Sequence, residues 1–342
     1  MTRYPLKKYL LFTSIFFGIS LLCILLGIIS VDLLLHHRLA TQQGWNYRGY
    51  RGKILSAKRD GEYRIACFGA STVYGYFVNQ DQTWPYLLEK RLLELKKDAS
   101  VANLGWNNQG LYGVFHDIKY FENLDYDLAI LYNSNADSVP SSIGVANYRA
   151  ESAFFKLFGY MPILPLYLNE KAMIMKYGIE NLNRAYGGKV DEKQSKDDRP
   201  VKFRIGVSLG EMNNLFTNIN EKLKKYDQEA EVLQKSNGKP YDQYLHYLGK
   251  TFDWLISKNK KTIYVNNPGT YNKIQQELVK KLIDEKYKNN VFYLDLSNTV
   301  DNSNKELCLD GMHLSMAGNQ IVADKIKLFI MDFLREKHLV SI

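Results

Sequence analysis

The sequence predicts an α/β fold: a parallel sheet of about five strands with helices on both faces. Short apolar or nearly apolar runs stand at Tyr63–Phe68, Val101–Leu104, Leu128–Tyr132, Thr262–Val265 and Val291–Leu296. Segments of helical period separate most of them. Strands covered on both faces lose the polar–apolar alternation of a half-exposed sheet, and parallel neighbours need a crossover between them. The repeating order of strand and helix therefore implies a parallel, doubly covered sheet.

In chain order, the first strand ends in Gly69-Ala70-Ser71. The next segment, Gln82–Lys97, carries Trp84, Leu87, Leu88, Leu92, Leu93 and Leu95 at helical spacing, with Pro85 in its first turn, where a missing N–H costs nothing. A helix over Tyr112–Asn123 follows the second strand. After the third strand the alternation breaks, and residues from about 138 to 241 form an insertion of mostly helical character. Within it, Phe154–Met175 is rich in Phe, Leu, Ile and Met, Gly187–Pro200 is charged and reads as a mobile loop, and Glu211–Leu233 reads as helix. The insertion is either a lid on the sheet domain or an element lying on a membrane surface. Helices at Tyr244–Ser257, Tyr271–Tyr287 and Met316–Arg335 complete the pattern.

Ahead of the sheet domain, Tyr9–Val31 contains no charged residue, which is long enough to cross a hydrocarbon core. Arg3, Lys7 and Lys8 precede it, Asp32 follows directly, and no small-residue cleavage site stands nearby. The expected organisation is a cytoplasmic N-terminus (1–8), a transmembrane signal anchor (9–31), an irregular connector laid on the domain surface (32–61) and the sheet domain outside the cytoplasm (62–336).

Composition excludes several classes. Across 342 residues, 46% hydrophobic and 24% charged content is that of a globular protein. The net charge of +9 is scattered among acidic residues, which reads as a solvated basic surface or, alternatively, as attraction to an anionic polymer or membrane surface; no nucleic-acid motif occurs and no such partner is expected. Cys23, Cys67 and Cys308 form no disulfide framework and are expected to be buried free thiols. Neither Cys-x-x-Cys nor His-Glu-x-x-His occurs, so no metal or other cofactor is implied.

Ser71 sits where a buried strand meets a helix start. Its hydroxyl would face out of the carboxyl edge of the sheet, beside helical N–H groups that favour developing negative charge. Of six histidines, His313 stands apart. It lies in Leu309-Asp310-Gly311-Met312-His313-Leu314-Ser315, ahead of the last helix, with an acid three residues before it. An aspartate that fixes one ring nitrogen leaves the other to accept a hydroxyl proton, as nucleophilic serine catalysis needs. Acyl transfer also needs oxyanion donors. The loops Asn103–Gly110 and Asn133–Asp137, each after a strand, could supply them. All four segments follow strand carboxyl ends, where open parallel sheets place their sites.

With these four blocks in order, the chain resembles the SGNH (GDSL-type) hydrolase superfamily in its membrane-anchored bacterial form. Gly69-Ala70-Ser71 matches the nucleophile block, with Ala70 where the family usually has aspartate. Asn103–Gly110 matches the second block, and the family's oxyanion glycine falls on Asn108. Asn133-Ser134-Asn135-Ala136 matches the third, keeping the amide donor as Asn135 and losing the following aspartate. Asp310, His313, Leu314 and Gly318 match the last. The resemblance implies a flavodoxin-like three-layer α/β/α fold with Ser71 as nucleophile, His313 as base and Asp310 as its orienter. It also implies Asn135, with the N–H groups of Ser71 and Asn108, as the oxyanion hole. The implied activity is ester hydrolysis or O-acyl transfer on acylated carbohydrate of the cell envelope or an exported polysaccharide. Lipids or small esters are the alternative substrates. A degenerate glycan- or partner-binding module is the alternative of another class.

Overall fold

The computed structural model describes residues 6–95, 98–107, 109–132, 153–165, 167–168, 171, 175, 241–268 and 273–336. Five strands form one sheet: β1 (Tyr63–Gly69), β2 (Ala99–Asn103), β3 (Leu128–Tyr132), β4 (Lys261–Val265) and β5 (Val291–Leu294). Their order is β2-β1-β3-β4-β5, and every neighbouring pair is parallel. This is the flavodoxin-like order, and its switch point falls between β1 and β3.

Alternate residues of β1 feed two cores. Ala66 and Phe68 join one, with side chains of α4 (Leu111–Tyr120) and α6 (Asp242–Ser257). Ile65 and Cys67 join the other, with Trp84, Leu87 and Leu88 of α3 (Trp84–Glu94) and Val322, Ala323 and Ile326 of α8 (Met316–Glu336). The expected strands and helices that fall on described residues are present, with ends shifted by a few residues. The expected helix 271–287 is α7 (Lys273–Leu282) closed by a π-helical turn at Ile283–Tyr287. Of the insertion, the structure describes α5 (Ala153–Phe158) and the chain just after it; the readings at 187–200 and 211–233 lie outside the described residues.

The N-terminal helix differs from expectation. Helix α1 (Leu6–Gln43) is apolar enough to cross a membrane, but it does not stop at Val31. It continues to Gln43 because the domain supplies partners for its polar residues. Asp32 accepts the N–H groups of Ile163 (2.8 Å) and Leu164 (2.6 Å) and the hydroxyl of Tyr160. His36 Nε2 donates to the carbonyl of Met161 at 2.8 Å. Farther along, Leu39 enters the core together with Trp45 and Tyr50. The expected surface connector is therefore helix as far as Gln43, and several residues of the irregular part after it are built into the domain. Cys67 and Cys308 are buried and free, as expected, whereas Cys23 is exposed on α1.

Candidate active site

The serine turn is fixed by two close backbone approaches. A side-chain carbon at Gly69 would lie 2.1 Å from the carbonyl oxygen of Tyr132 at the end of β3. One at Gly105 would lie 2.3 Å from the amide nitrogen of Tyr74. Only glycine allows both contacts. The loop after β2 is further stitched to β1, since Leu104 N–H donates to Cys67 O (2.9 Å) and Trp106 N–H to Gly69 O (3.1 Å). Between these supports Ser71 opens the short helix α2 (Ser71–Tyr74) and is 8% exposed.

The partner loop is ordered by its own hydrogen bonds. Leu309 N–H donates to His313 O (2.8 Å), Ser315 N–H to Leu307 O (2.9 Å), and Ser315 Oγ–H to Glu306 O (2.5 Å). Ser315 Oγ also accepts Gly318 N–H at 3.2 Å, capping α8 as its position before that helix suggests. Trp84 N–H donates to Asn319 Oδ1 (3.0 Å), tying α8 to α3.

This loop carries Asp310 and His313 to Ser71, 242 residues away in sequence. His313 Nε2 lies 2.8 Å from Ser71 Oγ, and Nδ1 lies 2.7 Å from Asp310 Oδ2. Asp310 Oδ1 accepts the N–H groups of Met312 (3.0 Å) and His313 (2.7 Å). Burial opposes charge on this carboxyl, but the His313 ring and the two backbone N–H groups outweigh it and hold its pKa down at about 2. An ionised Asp310 accepts a hydrogen bond, so Nδ1 carries the proton and Nε2 faces the serine hydroxyl as acceptor.

Two supports were not legible as part of the site in sequence. The rings of Tyr76 and Phe77 close on the imidazole, with centroids 4.8 and 5.6 Å from that of His313. Arg51, only 3% exposed, donates from Nε to Gln43 O (2.8 Å), from Nη1 to Tyr74 O (2.6 Å) and Gly75 O (2.8 Å), and from Nη2 to Val78 O (2.7 Å). Its guanidinium also lies over the Tyr74 ring, 4.6 Å from the centroid. It grips the chain on either side of Phe77, whose φ of 72° is sparsely populated for a residue with a side chain. Asn108 and Asn135, the expected oxyanion donors, lie outside the described residues.

The doubly wound parallel sheet thus brings serine, histidine and aspartate into one hydrogen-bonded line at its carboxyl edge. The chain belongs to the GDSL-like lipase/acylhydrolase family, whose sequence profile matches residues 65–326. No curated protein sequence matches it. Similar solved structures include the psychrotrophic esterase EstA from Pseudoalteromonas sp. (9% identity, 80% of this chain and 98% of that one, TM-score 0.42). A GDSL-like lipase from Bacteroides thetaiotaomicron aligns at 11% identity over 82% and 93% of the two chains, with a TM-score of 0.41. A catalytic mutant of the acetylxylan esterase Axe2 from Geobacillus stearothermophilus aligns at 13% identity over 83% and 95%, with a TM-score of 0.38.

Proposed function

We propose that this GDSL-family protein is a membrane-anchored serine enzyme that cleaves or transfers O-acyl esters of cell-envelope or exported polysaccharide. The observation that supports this reading is the continuous hydrogen-bonded line from Asp310 through His313 to Ser71. Ser71 Oγ attacks the ester carbonyl while His313 Nε2 takes its proton, and Asp310 stabilises the resulting imidazolium. The negative charge on the carbonyl oxygen is met by the N–H of Ser71, with Asn135 and the N–H of Asn108 as the further donors that the family resemblance implies. Collapse breaks the ester bond, His313 returns the proton to the leaving alkoxide, and the acyl group remains on Ser71. A second hydroxyl then attacks with His313 again as base. Water completes hydrolysis; a sugar hydroxyl completes transfer.

The topology we propose places residues 1–8 in the cytoplasm, 9–31 across the membrane, 32–61 as the link and 62–336 outside. The long apolar α1 supports this placement. A fluorophosphonate probe tests the chemistry: it should label the wild-type protein and not Ser71→Ala. Equal labelling of the two proteins, or none of a folded wild type, overturns the serine mechanism. A membrane-impermeant maleimide tests the topology, because Lys53→Cys should react in intact cells; reaction only after lysis reverses the orientation.

A further inference from the structure

We infer that a cleft beside the base of the domain binds the headgroup of an anionic phospholipid in the membrane leaflet next to Asp32. This rests on reading α1 as a membrane span and is independent of the chemistry at Ser71.

The position follows from the contacts that fix α1. Asp32 is the first charged residue after the apolar run Tyr9–Val31, so it stands at the boundary of the hydrocarbon. The segment directly after α5 is bonded to that boundary, through Tyr160, Ile163 and Leu164 to Asp32 and through Met161 to His36. Tyr160 stacks on Tyr47, with centroids 6.0 Å apart, and Met161 N–H donates to Tyr47 O at 2.9 Å. Paired tyrosines at this level suit the membrane–water interface, where an amphipathic ring faces both phases. A cleft of about 630 Å³ opens beside them, with Gly159 and Phe158 in its wall.

The chemistry of the cleft matches an anionic lipid. Its cations are Arg48 and Lys119, its small polar groups include Ser56 and Asn123, and no carboxylate lines it among the described residues. Arg48 is held by one Nη1–H to Phe158 O (3.1 Å), and the rest of its planar fork can meet a phosphate in two-point fashion. Lys119 Nζ lies 3.8 Å from the centroid of the Phe115 ring. Burial and the neighbouring Lys250 both disfavour its charge, and an anion at this spot would relieve the second effect. At the rim, Leu157 and Phe158 are 75% and 63% exposed. Apolar side chains this exposed, lining the mouth of a cationic cleft beside the segment bonded to the end of the span, are placed to enter the acyl-chain boundary while the cations hold the headgroup.

The test uses the full chain in lipid nanodiscs containing phosphatidylglycerol or phosphatidylcholine that carries a photoactivatable group on its headgroup. The inference expects phosphatidylglycerol to cross-link to peptides from 115–124 and 153–159, several-fold more than phosphatidylcholine does. Unlabelled phosphatidylglycerol should compete, whereas free glycerol phosphate should not. Each cation near a membrane surface contributes about fivefold in affinity, so Lys119→Gln should lower labelling about fivefold and Arg48→Gln/Lys119→Gln toward the phosphatidylcholine level. Equal labelling by the two lipids in wild type overturns the inference without relying on any variant. A second probe, photoactivatable in the acyl chain, separates the two readings. Labelling of α1 without headgroup labelling at the cleft removes the lipid site and keeps the anchor, and failure to label α1 removes both.

Discussion

Asp310 holds His313 with both of its oxygens, one on the ring nitrogen Nδ1 and the other on the residue's own backbone N–H, each at 2.7 Å. The second bond closes the tight turn Asp310–His313, so the carboxylate sets where the imidazole is placed as well as which nitrogen carries its proton. Backbone and side chain of one residue are thereby locked to a single anchor.

Replacing that anchor should therefore damage catalysis more than folding. Asp310→Asn offers an amide that can present its N–H to Nδ1, favouring the tautomer that points a proton at Ser71. We expect turnover to fall by about 10⁴ with the melting temperature changed little. Steady-state kinetics beside thermal unfolding decides the matter, and turnover within tenfold of wild type would remove Asp310 from the proposed machinery.

Gly105→Ala probes the nucleophile turn from behind. The added methyl would meet backbone atoms, 2.3 Å from Tyr74 N and 2.7 Å from Val73 C, so α2 itself must move. A shift of about 1 Å in the serine is expected to lower kcat by about 10²-fold. Gly27→Ala is the control, since nothing lies within 4 Å of that added carbon. An active Gly105→Ala enzyme with normal fluorophosphonate labelling would show that the turn tolerates the displacement.

Arg51→Met removes the donors for four carbonyls at once while keeping apolar bulk over Tyr74. The expected loss of stability is about 3 kcal/mol or more, because buried acceptors lose their partners. Amides at 74–78 should exchange hydrogen faster than those of β1, and kcat should fall with the seating of Phe77. If exchange at 74–78 matches wild type while the protein is destabilised, Arg51 supports the core alone.

Glu62 gives a pH-dependent prediction. Burial opposes its charge, but Arg59 N–H, the Ser100 hydroxyl and the Arg64 guanidinium outweigh that, and its pKa is lowered from 4.5 to about 2. A carboxyl depressed in the folded state stabilises fully above its unfolded value, and that contribution is lost as pH falls from 4.5 through about 2. Glu62→Gln should cost about 3–5 kcal/mol near neutrality by leaving Arg64 buried without its charge partner. The difference from wild type should shrink in urea unfolding at pH 3; a constant difference between pH 7 and pH 3 would contradict this account.

The sheet was legible because buried parallel strands leave apolar runs that local turn chemistry punctuates, as at Asp60-Gly61 before β1 and Gly69 at its end. Ser71, Asp310 and His313 were legible as candidates since each sits in a short block whose residue types make chemical sense alone. Arg51 was not. It appears in sequence as one cation among many, and its four acceptors come from two separate stretches, Gln43 and Tyr74–Val78, that only the fold brings together. The same holds for α1, whose extension past Val31 depends on Tyr160 and the backbone around Met161, far along the chain. Tyr76 and Phe77 carried a local signal, their place just after the serine helix, but nothing nearby in sequence indicates that a ring from residue 313 would fill the space between them and the serine.

Helix α1 runs unbroken from the apolar span to Gln43, and the carbonyl of Gln43 is held by the same guanidinium that grips the serine turn. The rise from Asp32 to Gln43, at about 1.5 Å per residue, is about 16 Å. On the proposed topology, Ser71 stands on a rigid post of fixed height, joined to α1 through Arg51. A site mounted in that way would sweep a thin slab parallel to the bilayer by lateral diffusion and would not lean outward from it.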